Sequence, residues 1–136
     1  MNPASKPQAI LPEGWARPKG YANGVVAEGR MLFIAGMIGW DGDQRFHSDE
    51  FGAQARQALQ NVADVLKAAG GSGENIVRMT WYVTDKREYL AAGREVGQAF
   101  REIIGSYTIA MTAVEVKALI EDRAKVEIEC TAMLSD

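Results

Sequence analysis

The clearest pattern in the chain is a run of apolar residues at three- and four-residue steps. Phe51, Ala55, Ala58, Leu59, Val62, Val65, Leu66 and Ala69 share one helical face. Asp49 and Glu50 suit the positive end of that helix, and Gly70-Gly71 suits its stop. In "NIVRMTWYV" the period changes to two. Val77, Met79, Trp81 and Val83 alternate with Arg78, Thr80 and Tyr82, the mark of a strand. A second helix is predicted from "DKRE", with Asp85 as cap and Glu88 in capping-box position. Tyr89, Gly93, Val96, Phe100 and Ile103 form its apolar face, where Gly93 and Gly97 permit close packing at a cost in helix stability. Upstream, "GVVAEGRMLFIAGM" reads as two short strands around a turn at Glu28-Gly29-Arg30. "GWDGDQRFHS" is turn-rich, with room for a short strand near Phe46. Downstream, strands are predicted over 112–118 and 124–133, joined by "LIEDR". The order is β-β-(β)-α-β-α-β-β. Two helices on one face of a mixed sheet make a two-layer α+β fold.

Residues 1–20 hold all four prolines and read as an irregular arm, which leaves 21–136 as a single domain. A chain of 136 residues can bury a core without staples. Its net charge of −3 argues against a nucleic-acid binder, which carries a basic stripe. The longest apolar run, "MLFIAGMIGW", is about half the length of a membrane span, and the N-terminal stretch has no signal-peptide core. One cysteine, Cys130, cannot form an intramolecular disulfide and points to a reducing compartment. A soluble cytoplasmic protein is expected.

Most catalytic sets are excluded by inventory. With His47 the only histidine, neither a Ser-His-Asp relay nor a His-rich zinc site can be built. No serine sits in a Gly-x-Ser-x-Gly elbow. "AGGSG" follows a helix and lacks the Lys-Ser/Thr of a phosphate loop. Asp41 and Asp43 begin like a calcium loop, but Arg45 and Gly52 stand where ligands should continue. Neither metal nor cofactor is expected. Cys130 alternates with Val126 and Ile128 as a packed core thiol. Glu127 and Glu129 in "KVEIECTAM" share the opposite side of that strand. Pattern alone favours a solvent-facing polar stripe; the sharper alternative is that one carboxylate reaches a cleft and acts as a general base on water.

"KGYANG", "FIAGMI", "AQARQALQNVADVLKAAG", "IVRMTWYVTD" and the closing "VEVKAL…KVEIEC" follow one another in an order and spacing that resembles the Rid superfamily, also called YjgF. The similarity runs from about Tyr21 to Met133. The resemblance implies a chorismate-mutase-like α+β fold and a homotrimer with small-ligand clefts between subunits. In the branch called RidA, an imine/enamine deaminase, an arginine in a Pro-Ala-Arg-Ser/Thr motif grips the substrate carboxylate. A glutamate on the last strand positions water, and a tyrosine, a serine and an asparagine shape the pocket.

Carried onto this chain, the match is partial. Tyr21 supplies the tyrosine and Glu127 the glutamate, so Glu127 is the expected catalytic residue. The serine position is Ala35, followed by Gly36, and the asparagine position is Gly93. "IAMT" places Met111 where the arginine would stand, with Thr112 after it. Methionine has neither the charge nor the donors of a guanidinium. Each lost charged hydrogen bond is worth roughly 1.5–3 kcal/mol, which makes a 2-imino acid a poor substrate. Three functions follow from the resemblance: a divergent hydrolase of bulkier or uncharged substrates, a non-catalytic trimeric ligand-binding scaffold, and, last, an endoribonuclease. Trp40 is a candidate for the cleft mouth, and Arg17, Lys19 and Arg78 are candidate substitute cations.

Overall fold

The long apolar stripe forms helix α1, Phe51–Ala68, in the computed structural model, which describes residues 6–135. Ala55, Ala58, Leu59, Val62 and Leu66 on its inner face are fully buried. Gly70, at φ 84°, turns the chain out of the helix, and the Gly71 N–H closes the end on the Leu66 carbonyl at 2.8 Å. Asp49 does not serve the helix end. It pairs with Arg123 at 2.9 Å, and Glu50 occupies the cap position without a side-chain bond.

The main sheet has the order β3-β6-β4-β5, formed by Arg30–Ile38, Val126–Leu134, Ile76–Val83 and Ala110–Glu115. β6 is antiparallel to both β3 and β4, while β4 and β5 run parallel. The sheet is therefore mixed. β3 and β4 are separated by α1 in sequence and by β6 in space. The parallel β4–β5 pair needs a long crossover, which the second helical segment supplies. That segment is two helices, α2 at Lys86–Ala91 and α3 at Gly93–Ile103, rather than the single one expected. The break falls at Ala92, where the following Gly93 makes continuation of the first helix costly. Asp85 caps α2 by accepting from the Arg87 N–H at 2.8 Å. Glu88 does not complete a capping box, because its carboxylate reaches Lys125 at 3.1 Å.

Helices cover one face of the sheet. Met79, Trp81 and Val83 of β4, Val126, Ile128 and Cys130 of β6, and Ala99 and Phe100 of α3 close the core under them. On the other face, Arg78, Thr80, Tyr82, Glu127, Glu129 and Thr131 are exposed or half-buried.

Three expectations change. The arm over 1–20 is not wholly irregular: β1, Gln8–Ile10, pairs antiparallel with β2, Gly24–Val26, in a separate small sheet; residues 1–5 lie outside the described residues. β2 and β3 therefore do not make a hairpin, although a turn separates them. The backbone ahead of β2 hugs the β5 edge instead, with the Ala22 N–H donating to Ile109 at 2.9 Å and Ala22 bridged to Ala110. Near Phe46 there is only a single bridge to Trp40, whose ring stands 5.8 Å from the Phe46 ring. The loop between them is closed by the Asp41 N–H donating to the Arg45 carbonyl at 3.0 Å.

Candidate functional site

The candidate residues separate into two groups on opposite faces of the sheet. Met111 faces the helices, since it pairs with the buried Met79 and packs on the core. With Gly93, Trp81, Tyr89, Phe100 and Tyr107 it lines a cleft of about 250 Å³ between β4/β5 and α2/α3. Gly20 contributes to the rim, which places the neighbouring Tyr21, 43% exposed, beside this cleft. Gly93 leaves open space: a Cβ built there meets nothing within 4 Å. No side chain lining the cleft carries a charge at neutral pH. Burial raises the Tyr89 phenol above its ordinary value, which keeps it a neutral hydrogen-bond donor.

Glu127 stands on the other face. It pairs in register with Tyr82, whose hydroxyl donates to Glu129 at 3.2 Å. The charge of Glu129, then desolvation, then this hydrogen bond raise the Tyr82 phenol. Glu127 itself is half-buried and has no hydrogen-bond partner among the described residues. Its carboxylate lies against Gly36, where any Cβ would collide with it. Gly36 belongs to a bulge, because the β3–β6 register slips between Ile34 and Met37. The bulge and the missing side chain together let a carboxylate lie flat against the β3 backbone. Ala35, from the same bulge, lines a second cavity of about 380 Å³ with Arg78 and Glu129. Thr112 is exposed on this open face, opposite in direction to Met111.

One chain thus brings Gly93 and Met111 together, with Tyr21 at their rim, and brings Gly36 and Glu127 together with Ala35 nearby. It does not join the two groups. Glu127 and Met111 are two strand spacings and three residues of rise apart, roughly 14 Å between backbones, and on opposite faces. Among the candidate cations, Arg78 reaches the open-face cavity; Arg17 and Lys19 are exposed on the arm and line neither space. Trp40 lines neither of the two cavities described above. It is fixed against Phe46, and its carbonyl accepts from Asn61 at 2.7 Å. His47 pairs with Asp41 at 2.6 Å on an exposed turn, which lowers the Asp41 carboxyl.

The cleft residues that pattern reading passed over are Trp81, Tyr89 and Tyr107. The sequence pattern places Trp81 and Tyr89 on the core faces of a strand and a helix. The signal available was the density of aromatic residues around the β4–α2–α3–β5 crossover.

Residues 15–134 match the family model described as Endoribonuclease L-PSP. The RutC family protein slr0709 of Synechocystis is 35% identical over 119 residues, covering 86% of this chain and 88% of that protein. A 2-iminobutanoate/2-iminopropanoate deaminase of Salmonella typhimurium is 33% identical over 105 residues, covering 77% and 80%. Among solved structures, the Rid-family protein YyfB of Yersinia pestis superposes with a TM-score of 0.84 at 29% identity, covering 96% of this chain and all of that one.

Proposed function

The chain belongs to the Rid/YjgF/UK114 family, and from that premise we propose a hydrolase of the imine or enamine deaminase type whose substrate is not a 2-imino acid. The observation that carries this is the state of Glu127. A structural carboxylate would be tied to a neighbouring donor, whereas this one is half-buried and unengaged among the described residues. That is how a general base is held ready for water. Glu127 takes a proton from water as the oxygen bonds to the imine carbon. It returns that proton to nitrogen to give a carbinolamine, then carries the hydroxyl proton to the amine, so that C=O forms as the C–N bond breaks and ammonia and a carbonyl compound leave. The restriction on substrate comes from Met111, which offers a carboxylate no charge and no donor.

The complete site, in this reading, lies between copies. Glu127 is next to the β3 edge of the sheet and Met111 is on the β5 edge. A homotrimer that lays the open sheet face of one copy, which carries Glu127, against the β5 side of the next brings both groups to one cleft. The exposed Met31 and Phe33 at one side of that face and Val114 at the other support such an assembly, since exposed large apolar side chains mark association surfaces. A trimeric ligand-binding scaffold is the second reading, favoured by the absence of charge from the Met111 cleft. The nuclease reading has little physical basis in a chain of net charge −3, and a salt-sensitive RNA-cleavage assay tests it.

The deciding experiment is imine hydrolysis over a panel that pairs carboxylated imino acids with larger uncharged imines, with Glu127→Gln alongside. Turnover of the uncharged imines, lost in Glu127→Gln, is expected. Ligand binding without turnover by either protein would move the scaffold reading to the front.

A further inference from the structure

We propose that the cleft between β4/β5 and α2/α3 binds a neutral, single-ring molecule with one hydrogen-bond acceptor, and that the Trp81 indole N–H reads that acceptor. The inference deepens the reading above by naming what the Met111 cleft takes, but binding is measurable whether or not turnover occurs.

Trp81 is 2% exposed, and its Nε1–H has no acceptor among the described residues. A buried donor without a partner costs of the order of 1–3 kcal/mol, so a ligand that supplies an acceptor gains what the free protein lacks. Everything else around it is matched to an apolar body. Phe100 and Tyr107 stack with centroids 5.4 Å apart, Met111 forms a deformable floor, and Gly93 leaves room. The volume of about 250 Å³ exceeds the roughly 150 Å³ of a cavity that takes benzene, which leaves space for a short substituent. No cation is among the residues lining the cleft, and the nearest guanidinium, that of Arg101, comes within 3.7 Å of a Cβ built on Gly97 at its wall; a carboxylate in the body of the cleft would be desolvated without a contacting counter-charge. An aryl or alicyclic ketone, or the imine from which it comes, fits these conditions. Nε1 itself is out of contact with solvent, so in this proposal the acceptor reaches it as the Tyr89 ring, 6.0 Å from that of Trp81, moves aside. Tyr89 stands on α2, a six-residue helix with no fully buried residue, tied to the rest of the fold by Glu88–Lys125 at 3.1 Å and by the Lys86 N–H donating to Glu115 at 2.9 Å.

Three probes of similar size separate the terms: acetophenone has the ring and the acceptor, ethylbenzene only the ring, and benzoate a charge. Binding to the full chain is followed by the indole N–H resonance of Trp81 in a ¹H–¹⁵N spectrum, assigned with Trp81→Phe. Acetophenone is expected to saturate and move that resonance. Ethylbenzene should bind about tenfold more weakly, as loss of one hydrogen bond implies, and benzoate not measurably. In Trp81→Phe the advantage of acetophenone over ethylbenzene disappears. If that variant does not fold, Gly93→Leu fills the cleft from its open side and should abolish binding of both neutral probes. Equal binding of benzoate, an unmoved Trp81 resonance, or no binding of any probe overturns the proposal. Binding of acetophenone by a protein that hydrolyses no imine would refute the hydrolase reading and leave this one standing; imine turnover without probe binding would do the reverse.

Discussion

Glu129 and Cys130 are neighbours on β6 and live in different media. Glu129 faces water and accepts from Tyr82, while Cys130 is 3% exposed beneath the helices. Burial, reinforced by the Glu129 charge, pushes the Cys130 thiol up to about 12 from an ordinary 9.0. The consequence for pH follows directly. The folded state favours the neutral thiol, so this contribution is complete below the unfolded value of 9.0 and is lost as pH rises through the folded value of about 12. Thermal unfolding should therefore show stability falling from pH 9 upward. Cys130→Ala, at a cost of about 1 kcal/mol at neutral pH, should flatten that decline. The same thiol should resist alkylation at pH 8 until the protein unfolds, since the thiolate is the reactive form. Met111 shows the residue scale from the functional side. Its thioether gives the cleft a floor with neither charge nor hydrogen-bond donor while packing on the core.

Elements here are tied together by single polar side chains as much as by apolar faces. Gln54, on α1, is 1% exposed. It donates to the Ser48 carbonyl at 3.0 Å and the Arg123 carbonyl at 2.9 Å, and accepts from the Lys125 N–H at 2.8 Å. It fastens the helix to the segment before it and to the approach to β6, and so helps hold Glu127 in register. Gln54→Leu keeps the volume and orphans those three backbone groups. A loss of about 2–4 kcal/mol is expected, seen as a lower urea midpoint at unchanged m-value. Asn61 plays a similar part, donating to the Ile38 and Trp40 carbonyls at the end of β3. Neither α1 glutamine nor asparagine stood out in the sequence, because polar residues on a helix usually face water. Only the partners they meet reveal their role.

For the whole molecule the open sheet face is the informative surface. Phe33 is 71% exposed and Met31 54%, on the face that also carries Glu127 and Glu129. If copies associate through it, light scattering should give the mass of a trimer, and Phe33→Asp should shift the mass toward a monomer and reduce imine turnover with it. A wild-type monomer would count against a site shared between copies. The sequence alone determined the types of nearly all the long elements, because burial of one face imposes a period of 3.6 or 2 whatever the partner. It also pointed to Met111 and Glu127, through motifs that are local in the chain. Tertiary structure decided the rest. Pairing of β2 with β1, placement of β6 between β3 and β4, and the break at Ala92 depend on contacts distant in sequence, which alternation does not specify. Most of all, it decided that Met111 and Glu127 point to opposite sides of one sheet, since facing is set by strand register and not by the motif that carries the residue.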